Sequence, residues 1–548
     1  MDTNSTVVIT EAPQGDYLVD YVALPDNYGS KAYYDRQDIR NIDRTVIQNL
    51  EELDRRIDFT GSIKDKRIII KPNLVSVFHK IGFKDENYPE STDPRVFESI
   101  IRYLLNYTDD IVIVEGSGRG MPTHASFKIS GIDRVAKRFH LQLLAVEEQP
   151  IDRYILPKAK VMKEIYIPRI FSEVVRGEAF YISVPKMKTN LYTGVTLGFK
   201  NAMGTIPYNL RQKNHSYQIN NKLVDILYLF KPDLVIIDGI IGGEGDTPAP
   251  VDPVRSHVLI SGNNSVETDT VATRMMGIDP ETIELLTDAV SRGFGDEKVI
   301  IVGREKVTPF RKADQTLLSD QFYRKFPNVT FLVGHTNSRA PKFDSIEKVM
   351  PDDVKAIEGS CIGGCIAALR QSFEMFYYQG LKTDFALMVI LGNGTEIDGI
   401  SYYFDRNGRA YTVDEIKRSP LKKMVFGSCT STLAGFGNTY SAGCMPKPID
   451  GLNSLHKLTG TWNRIFSLKN KQLAKIAFSA LKMRKKRIKL VKSGIRVDMR
   501  PSYWDDSLSL IPHLSDEDSR KDFIEWPMPK LEGEEKKAIL ADVRKNSF

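Results

Sequence analysis

The stretch RIIIKPN (67–73) opens the pattern that decides the fold of this chain. Four similar runs follow it, which are DIVIVEGSGRG (110–120), AFYISVPKMKTN (179–190), DLVIIDGIIGGEG (233–245) and HVLISGNN (257–264). Short runs rich in Ile and Val, with helical patterns between most of them, are typical of the buried strands of a parallel sheet. The pattern predicts an open, mostly parallel α/β domain over residues 66–315. We expect its functional residues beyond the carboxyl ends of the strands.

A second α/β pattern covers residues 316–460. Its strand candidates are NVTFLVG (328–334), DFALMVILGNG (384–394) and KMVFGSC (423–429). We expect a smaller, flavodoxin-like sheet in this region. Residues 1–65 carry no strong motif and are interpreted as an N-terminal extension, and residues 461–548 as a basic helix followed by an irregular extension.

The composition of the chain is that of an ordinary globular protein, with 41% apolar and 27% charged residues in 548. No apolar run approaches the roughly 20 residues of a membrane helix. The N-terminus lacks the basic and apolar regions of a signal peptide. Four cysteines are too few for a disulfide scaffold, which favours a reducing, cytoplasmic compartment.

The positive charge of the chain is concentrated near its C-terminus. Residues 464–500 contain 13 Lys or Arg and one acidic residue, Asp498, whereas the whole chain has a net charge of only +6. The remainder is therefore net acidic, which disfavours a chain-wide nucleic-acid interface. The basic segment is open to several interpretations: a helix packed on the body with a solvated face, a docking site for an acidic redox partner, or a contact with a membrane surface or nucleic acid.

All four cysteines lie in the second α/β region, and each follows Gly or Gly-Ser. They are Cys361 and Cys365 in EGSCIGGCIAALRQSF (358–373), Cys429 in VFGSCTSTLAGFG (425–437) and Cys444 in SAGCMPKPIDGL (441–452). Four thiolates suit one [4Fe–4S] cluster, and the N-terminus of the helix that follows the first pair would face its negative charge. Three alternatives stay open: a structural zinc ion, a redox disulfide between the first two cysteines, and four unrelated thiols.

Lysines recur at the predicted strand ends and in a glycine-rich loop. These are Lys71, Lys186, Lys188 and Lys200, with Asn73, Thr189 and Asn201 as neutral donors nearby. Such a group suits a carboxylate or phosphate, so we predict an anionic substrate; the alternative is that these lysines are merely solvated.

Three residues of the same region are candidates for proton transfer. Asp238 and Glu244 follow one strand and are interpreted as a proton-transfer pair or as partners of loop amides. His215, in RQKNHSYQ (211–218), is a candidate proton donor or an ordinary surface histidine.

Residues 66–305 resemble domain-of-unknown-function family 362. The resemblance rests on IKPNLV (70–75), STDPRV (91–96), VPKMKT (184–189), TGVTLGFKNAMGTIP (193–207), IIDGIIGGEG (236–245) and ETDTVATRMMGIDP (267–280), which recur in the family's order. Members of that family often carry a ferredoxin-like motif of four closely spaced cysteines. This chain has no such motif, which leaves the second region as the predicted cluster site.

The segment from about 330 to 460 resembles the small subunits of nickel–iron hydrogenases and of respiratory complex I. Cys361 and Cys365 precede a helix, Cys429 follows a strand, and Cys444 lies in a Gly-Cys-Met-Pro turn, in the order of those subunits. The first pair is spaced C-x3-C, where the hydrogenases have C-x2-C. The resemblance implies one cluster and does not imply nickel or quinone chemistry.

Together these patterns predict an iron–sulfur oxidoreductase of an anaerobic type of metabolism. Its cluster would pass electrons from a reduced ferredoxin-like carrier to an anionic small molecule at the lysine-rich strand ends. Two other functions remain: an electron-transfer or cofactor-assembly component without a substrate, and a redox-neutral isomerase or lyase with a structural or Lewis-acid cluster. A bound flavin also stays open.

Overall fold

The structure is a computed structural model, and it describes residues 4–17, 24–75, 77, 89–118, 121–211, 215–248, 251–467, 470–498 and 513–545. Its α-helices are Lys31–Tyr34, Gln37–Ile57, Phe59–Ile63, Pro94–Leu104, Thr123–Ser130, Ile132–Arg138, Arg169–Val175, Ile219–Ile226, Ser265–Met275, Glu284–Ser291, Asp320–Lys325, Pro351–Gly359, Cys365–Tyr378, Val413–Arg418, Pro448–Thr459, Lys471–Lys492 and Gly533–Lys545. None of the helices in these ranges is long and apolar enough to cross a membrane.

The first sheet contains eleven strands. They are β1 (Ser5–Glu11), β2 (Arg67–Pro72), β3 (Ile111–Glu115), β4 (Gln142–Ala145), β7 (Ala179–Val184), β8 (Lys186–Asn190), β9 (Gly194–Thr196), β10 (Leu234–Glu244), β11 (Asp252–Val254), β12 (Val258–Gly262) and β13 (Val299–Val302). The main order is β13-β1-β12-β10-β7-β2-β3-β4, and β8 continues beside β10. Most neighbours are parallel, although β12 runs antiparallel to both β1 and β10.

Apolar residues on both faces of each strand place this sheet between two helical layers. In β2, Ile69 belongs to the core on one side, and Ile68 and Ile70 belong to the core on the other. This alternation follows from the two-residue period of a strand, and it explains why the strands read as continuous apolar runs. The prediction of a mostly parallel α/β fold is confirmed.

Both terminal regions contribute strands that the sequence analysis does not predict. The N-terminal region is not an extension, because β1 forms hydrogen bonds with both β12 and β13 inside the first sheet. The C-terminal region is not simply irregular, because β21 (Ile524–Trp526) pairs with β5 (Ile151–Ile155), which in turn pairs with β6 (Glu164–Pro168). Both segments were missed because their partners are hundreds of residues away in sequence.

The second sheet has seven strands, which are β14 (Val329–Val333), β15 (Leu387–Leu391), β16 (Thr395–Ile397), β17 (Ile400–Phe404), β18 (Ala410–Thr412), β19 (Lys423–Phe426) and β20 (Thr439–Ser441). Four of them form a parallel array in the order β14-β15-β19-β20. This sequential order differs from the 2-1-3-4-5 order of flavodoxin-like folds, so that part of the expectation is corrected. Antiparallel β17 extends the sheet beyond β14.

Buried charges join the two α/β regions. Arg370, on the helix Cys365–Tyr378, is fully buried and forms ion pairs with Asp246 at 3.1 Å and with Asp314 at 2.8 Å. Asp246 follows β10 of the first sheet. Since removing one partner of a buried ion pair is strongly destabilising, these pairs hold the cysteine-bearing helix against the strand ends of the first sheet.

The predicted basic helix is present as Lys471–Lys492. It packs on the body through Met483, Arg487 and Val491, which are buried, while its opposite side is exposed. Lys486 adds an ion pair to Glu148 at 3.1 Å.

Candidate functional site

Lys71, Lys186, Lys188 and Lys200 are all buried, so the alternative that they are merely solvated side chains does not hold. Lys71, at the end of β2, lies 2.9 Å from a carboxylate oxygen of Glu115 at the end of β3. Its ammonium also donates to Oδ1 of Asn201 at 2.8 Å, and Asn73 donates to the same oxygen at 3.1 Å. The protein itself therefore neutralises Lys71.

Lys186 is likewise paired inside the protein. Its ammonium lies 2.9 Å from Asp238, and both side chains are fully buried. The two residues stand opposite each other in the register of β8 and β10. Asp238 also accepts the backbone N–H of Asp93 at 2.8 Å, and Asp93 is the N-cap of the helix Pro94–Leu104. Asp238 thus has a structural role at the end of the sheet.

The geometry of β10 favours the second interpretation of Asp238 and Glu244, as partners of backbone amides, over a proton-transfer pair. They lie six positions apart on the same strand, and six residues of extended chain span about 20 Å. Glu244 accepts the backbone N–H of Arg311 at 2.7 Å. Thr189 donates to the carbonyl of Gly245 at 2.8 Å, which also indicates a structural role.

A second set of cations lacks such partners. We call Lys188, Lys200 and Arg211 the cationic cluster. Lys188 donates to the backbone carbonyl of Glu90 at 2.6 Å, and no carboxylate lies within ion-pair distance of it in the described residues. Arg211 donates to the carbonyl of Ile206 at 3.0 Å.

Lys200 has neither a hydrogen bond nor an ion pair to any described residue. Burial lowers the pKa of its ammonium from 10.5 to about 7, and the positive charges of Lys188 and Arg211 act in the same direction. Burial also lowers the pKa of Lys188, to about 8. The charge of Glu90 opposes this shift at Lys188, whereas the charged groups that act on Lys200 are all cations. A buried ammonium among other cations is an environment that a negatively charged ligand would stabilise.

His215 and Tyr192 lie between the cationic cluster and the cysteines. Burial holds the pKa of His215 well below its ordinary value, and the charges of Arg211 and Lys200 contribute, so the imidazole is neutral. Its ring meets the Tyr192 ring edge-on at 5.9 Å. Tyr192 is half-buried, and burial raises the pKa of its hydroxyl, with further contributions from neighbouring Tyr208 and Cys365. His215 is partly exposed and lines the cavity between the two regions, and its role as a proton donor stays a prediction.

Cys361, Cys365 and Cys429 lie near one another. None of the four cysteines, all of which lie in the described residues, forms a disulfide, so Cys361 and Cys365 are not joined. A hydrogen bond from the Cys365 thiol holds the pKa of Cys361 well below its ordinary value. A β-carbon placed on Gly427 would lie 3.3 Å from the sulfur of Cys365 and 3.5 Å from that of Cys429. These two sulfurs thus border the same small space, which glycine leaves open.

Cys444 reaches this region from a separate turn. A β-carbon on Gly363 would lie 2.5 Å from its sulfur, so the turn between Cys361 and Cys365 closes over Cys444. The turns of Cys429 and Cys444 are tied together because the N–H of Ser428 donates to the carbonyl of Gly443 at 3.0 Å. In the described residues no three His, Cys, Asp or Glu side chains are close enough to hold a metal ion as they stand. A single cluster on all four sulfurs stays a prediction.

The cysteine turn contacts the loop of the first region that carries His215. The N–H of Gln218 donates to the carbonyl of Ile362 at 3.2 Å, and the Tyr192 hydroxyl donates to Gln371 at 3.0 Å. A cavity of about 110 Å³ opens between the two regions. It is lined from one side by Tyr192, Tyr208 and His215, and from the other by Gln371, Met375 and Met445, the neighbour of Cys444.

Four residues in or beside this site were not identified in the sequence analysis. Arg211 lies four positions before His215, and this nearness to a candidate histidine could have indicated it. Tyr192 and Tyr208 gave no signal in sequence, because only folding brings them to the cavity. Glu115 ends a predicted strand and could have been proposed as the partner of Lys71.

Comparison with known proteins supports part of the predicted resemblance. Residues 68–274 match the family described as Domain of unknown function (DUF362). A thylakoid-associated protein of Synechocystis sp. is 31% identical over 108 residues, which are 19% of this chain and 34% of that protein. The chain thus matches about a third of that relative's length. No solved structure gave a significant match. The resemblance of residues 330–460 to hydrogenase and complex I subunits is not supported by these matches and stays a prediction.

Proposed function

We propose that this protein is an iron–sulfur oxidoreductase in which the four cysteines hold one [4Fe–4S] cluster and the cationic cluster binds an anionic organic substrate. The observation that carries the proposal is the contact between the two sites. Tyr192 meets the ring of His215 edge-on at 5.9 Å on the side of the cationic cluster, and its hydroxyl donates at 3.0 Å to Gln371 on the helix that begins at Cys365.

The cysteines fit an iron–sulfur cluster in their chemistry and setting. Four thiols outside any disulfide, on three glycine-rich turns, supply the count that a cubane needs. Cys365 begins a helix of 14 residues whose N-terminus favours negative charge. A [4Fe–4S] cluster bound there would supply single electrons, delivered by a reduced ferredoxin-like carrier.

The side chains of the first region would bind and orient the substrate. Lys200 and Arg211 would pair with its carboxylate or phosphate group, which restores the ammonium form of Lys200. His215 is neutral and hydrogen-bonds Ser216 through Nδ1 at 3.3 Å, so its other ring nitrogen is the atom that can exchange a proton with the substrate. The roles predicted for Asp238 and Glu244 as proton-transfer groups are withdrawn.

The first test is anaerobic reconstitution of the full chain with iron and sulfide, followed by metal analysis and electron paramagnetic resonance of the reduced protein. We expect about four iron atoms and four sulfides per chain. Cys365→Ala and Cys444→Ala should each lose the signal, whereas Ser431→Ala, an exposed change two positions from Cys429, should keep it. Zinc bound without sulfide, or full iron content in both cysteine variants, would contradict the proposal.

The second test concerns the link between the two sites. Phosphate or a small dicarboxylate should alter the resonance spectrum of the reduced wild-type protein, because the anion binds beside Tyr192 and His215. The same addition should leave the spectrum of Lys200→Met unchanged. Equal responses of both proteins would separate the cysteine site from the cationic cluster and remove the substrate role.

A further inference from the structure

We propose that the solvent face of the basic helix Lys471–Lys492 docks on an anionic lipid membrane surface. This helix contains nine Lys or Arg and no acidic residue over 22 positions. Its docking function is separate from the redox proposal and stands on the composition and exposure of one face.

The exposed face combines large apolar side chains with lysines. At 100° per residue, Phe478 and Leu481 share one side of the helix with Lys475, Lys482, Lys485 and Lys489. All six are exposed, and the four lysines have no ion-pair partner in the described part of the chain. Their positive charge is therefore free to meet a negatively charged surface.

Large apolar side chains are more exposed in and near this helix than in most other described parts of the chain. Trp462, just before the helix, is 70% exposed and Phe478 is 65% exposed, the two highest values for large apolar residues in the described ranges. Leu481 is 55% exposed. A basic helix face that only contacts water does not require exposed aromatic and aliphatic side chains. Clusters of exposed apolar residues are typical of interaction sites.

The opposite side of the helix fixes this face toward solvent. Met483, Arg487 and Val491 are buried, and Arg484 donates to the backbone carbonyl of Arg544 at 2.7 Å on the helix Gly533–Lys545. The helix cannot turn its apolar residues inward without breaking these contacts. It is a rigid platform rather than a free amphipathic tail.

A membrane satisfies both kinds of side chain at once. Anionic headgroups attract lysines, and the acyl boundary just beneath them accepts Phe, Leu and Trp. The phosphate backbone of a nucleic acid would satisfy the lysines and leave Phe478 and Leu481 in water. An acidic protein would need a surface that offers apolar pockets between its carboxylates, which the membrane supplies without shape matching.

The test is flotation of the full-length protein with vesicles of phosphatidylcholine alone or mixed with phosphatidylglycerol. We expect binding to the mixed vesicles only, weakening with added salt. The double change Phe478→Ser and Leu481→Ser should lower the partition coefficient at least about tenfold at unchanged charge. Lys482→Gln or Lys485→Gln should each lower it about fivefold.

A matched control separates this face from general stickiness. Val290 and Val307 are 54% and 55% exposed in the first α/β region, and changing both to Ser should leave binding intact. Equal binding to neutral vesicles, or wild-type binding by the Phe478/Leu481 variant, would overturn the proposal. Tight binding to duplex DNA or to an acidic ferredoxin, with no binding to vesicles, would also overturn it if the Phe478/Leu481 variant binds that partner as tightly as the wild type does.

Discussion

Four lysines in the first α/β region are equally buried and differ in what faces them. Lys71 and Lys186 each lie 2.9 Å from a carboxylate, that of Glu115 or of Asp238. Lys188 has only a backbone carbonyl as hydrogen-bond acceptor, and Lys200 has no partner in the described residues. Burial alone therefore does not mark a binding lysine. The missing counter-charge does.

This difference divides the group into a structural half and a half that a ligand can complete. A buried charge without a partner is costly and shifts its pKa toward the neutral form, as burial does for Lys200. A paired lysine cannot bind a ligand without giving up its carboxylate. The predictions below separate the two halves experimentally.

The largest effect is expected from breaking a paired lysine. Lys186→Met leaves Asp238 as an uncompensated buried charge, so the free energy of unfolding should fall by about 3–5 kcal/mol. Urea denaturation followed by circular dichroism measures it. Adding Asp238→Asn to the same protein should recover much of the loss, because the stranded charge is then gone. A loss below about 1 kcal/mol, typical of a solvated pair, would show that the pair is not the structural element described here.

The sequence predicted the strand ends well and their partners poorly. The polar ends of β2 and β10 are visible as turns after apolar runs, which is why Lys71 and Asp238 were found. The pairing of Lys186 with Asp238 depends on the register of β8 against β10, and no local pattern encodes it. Local features such as strand ends could be predicted from the residue types. Contacts between residues tens of positions apart could not.

The cysteines illustrate the same limit. Their glycine-rich settings were readable, and the structure brings Cys365 and Cys429 to one space beside Gly427. That Tyr192 stands between them and the cationic cluster was not readable, because Tyr192 lies more than 150 residues before the first cysteine. A contact between two distant regions of the chain produces no repeating pattern in the sequence of either region.

A ligand should distinguish the unpaired half by binding. Isothermal titration with phosphate and with succinate should give binding to the wild type, and Lys200→Met should weaken it by about tenfold or more, the contribution of a hydrogen bond to a charged group. Lys298→Met, which removes an exposed lysine of the same region, should leave the affinity unchanged. Unaltered binding in Lys200→Met would place the anion elsewhere and erase the distinction between the two halves.

The most gradual effect is a pH dependence of stability that is carried mainly by Lys200. Its pKa is about 7 in the folded protein and 10.5 when unfolded, so between these values the unfolded state binds more protons and the wild type gains stability as the pH rises. Lys200→Met lacks this titration, so its advantage in unfolding free energy over the wild type should be largest below pH 7 and shrink above it. The change is at most about 1.4 kcal/mol per pH unit. Lys188 titrates in both proteins, so it enters the difference only through its charge coupling to Lys200. Saturating phosphate should flatten the curve, since a bound anion holds Lys200 in its charged form. A difference that does not vary with pH, with or without phosphate, would mean that Lys200 keeps its proton in the folded protein and that some other group already neutralises it.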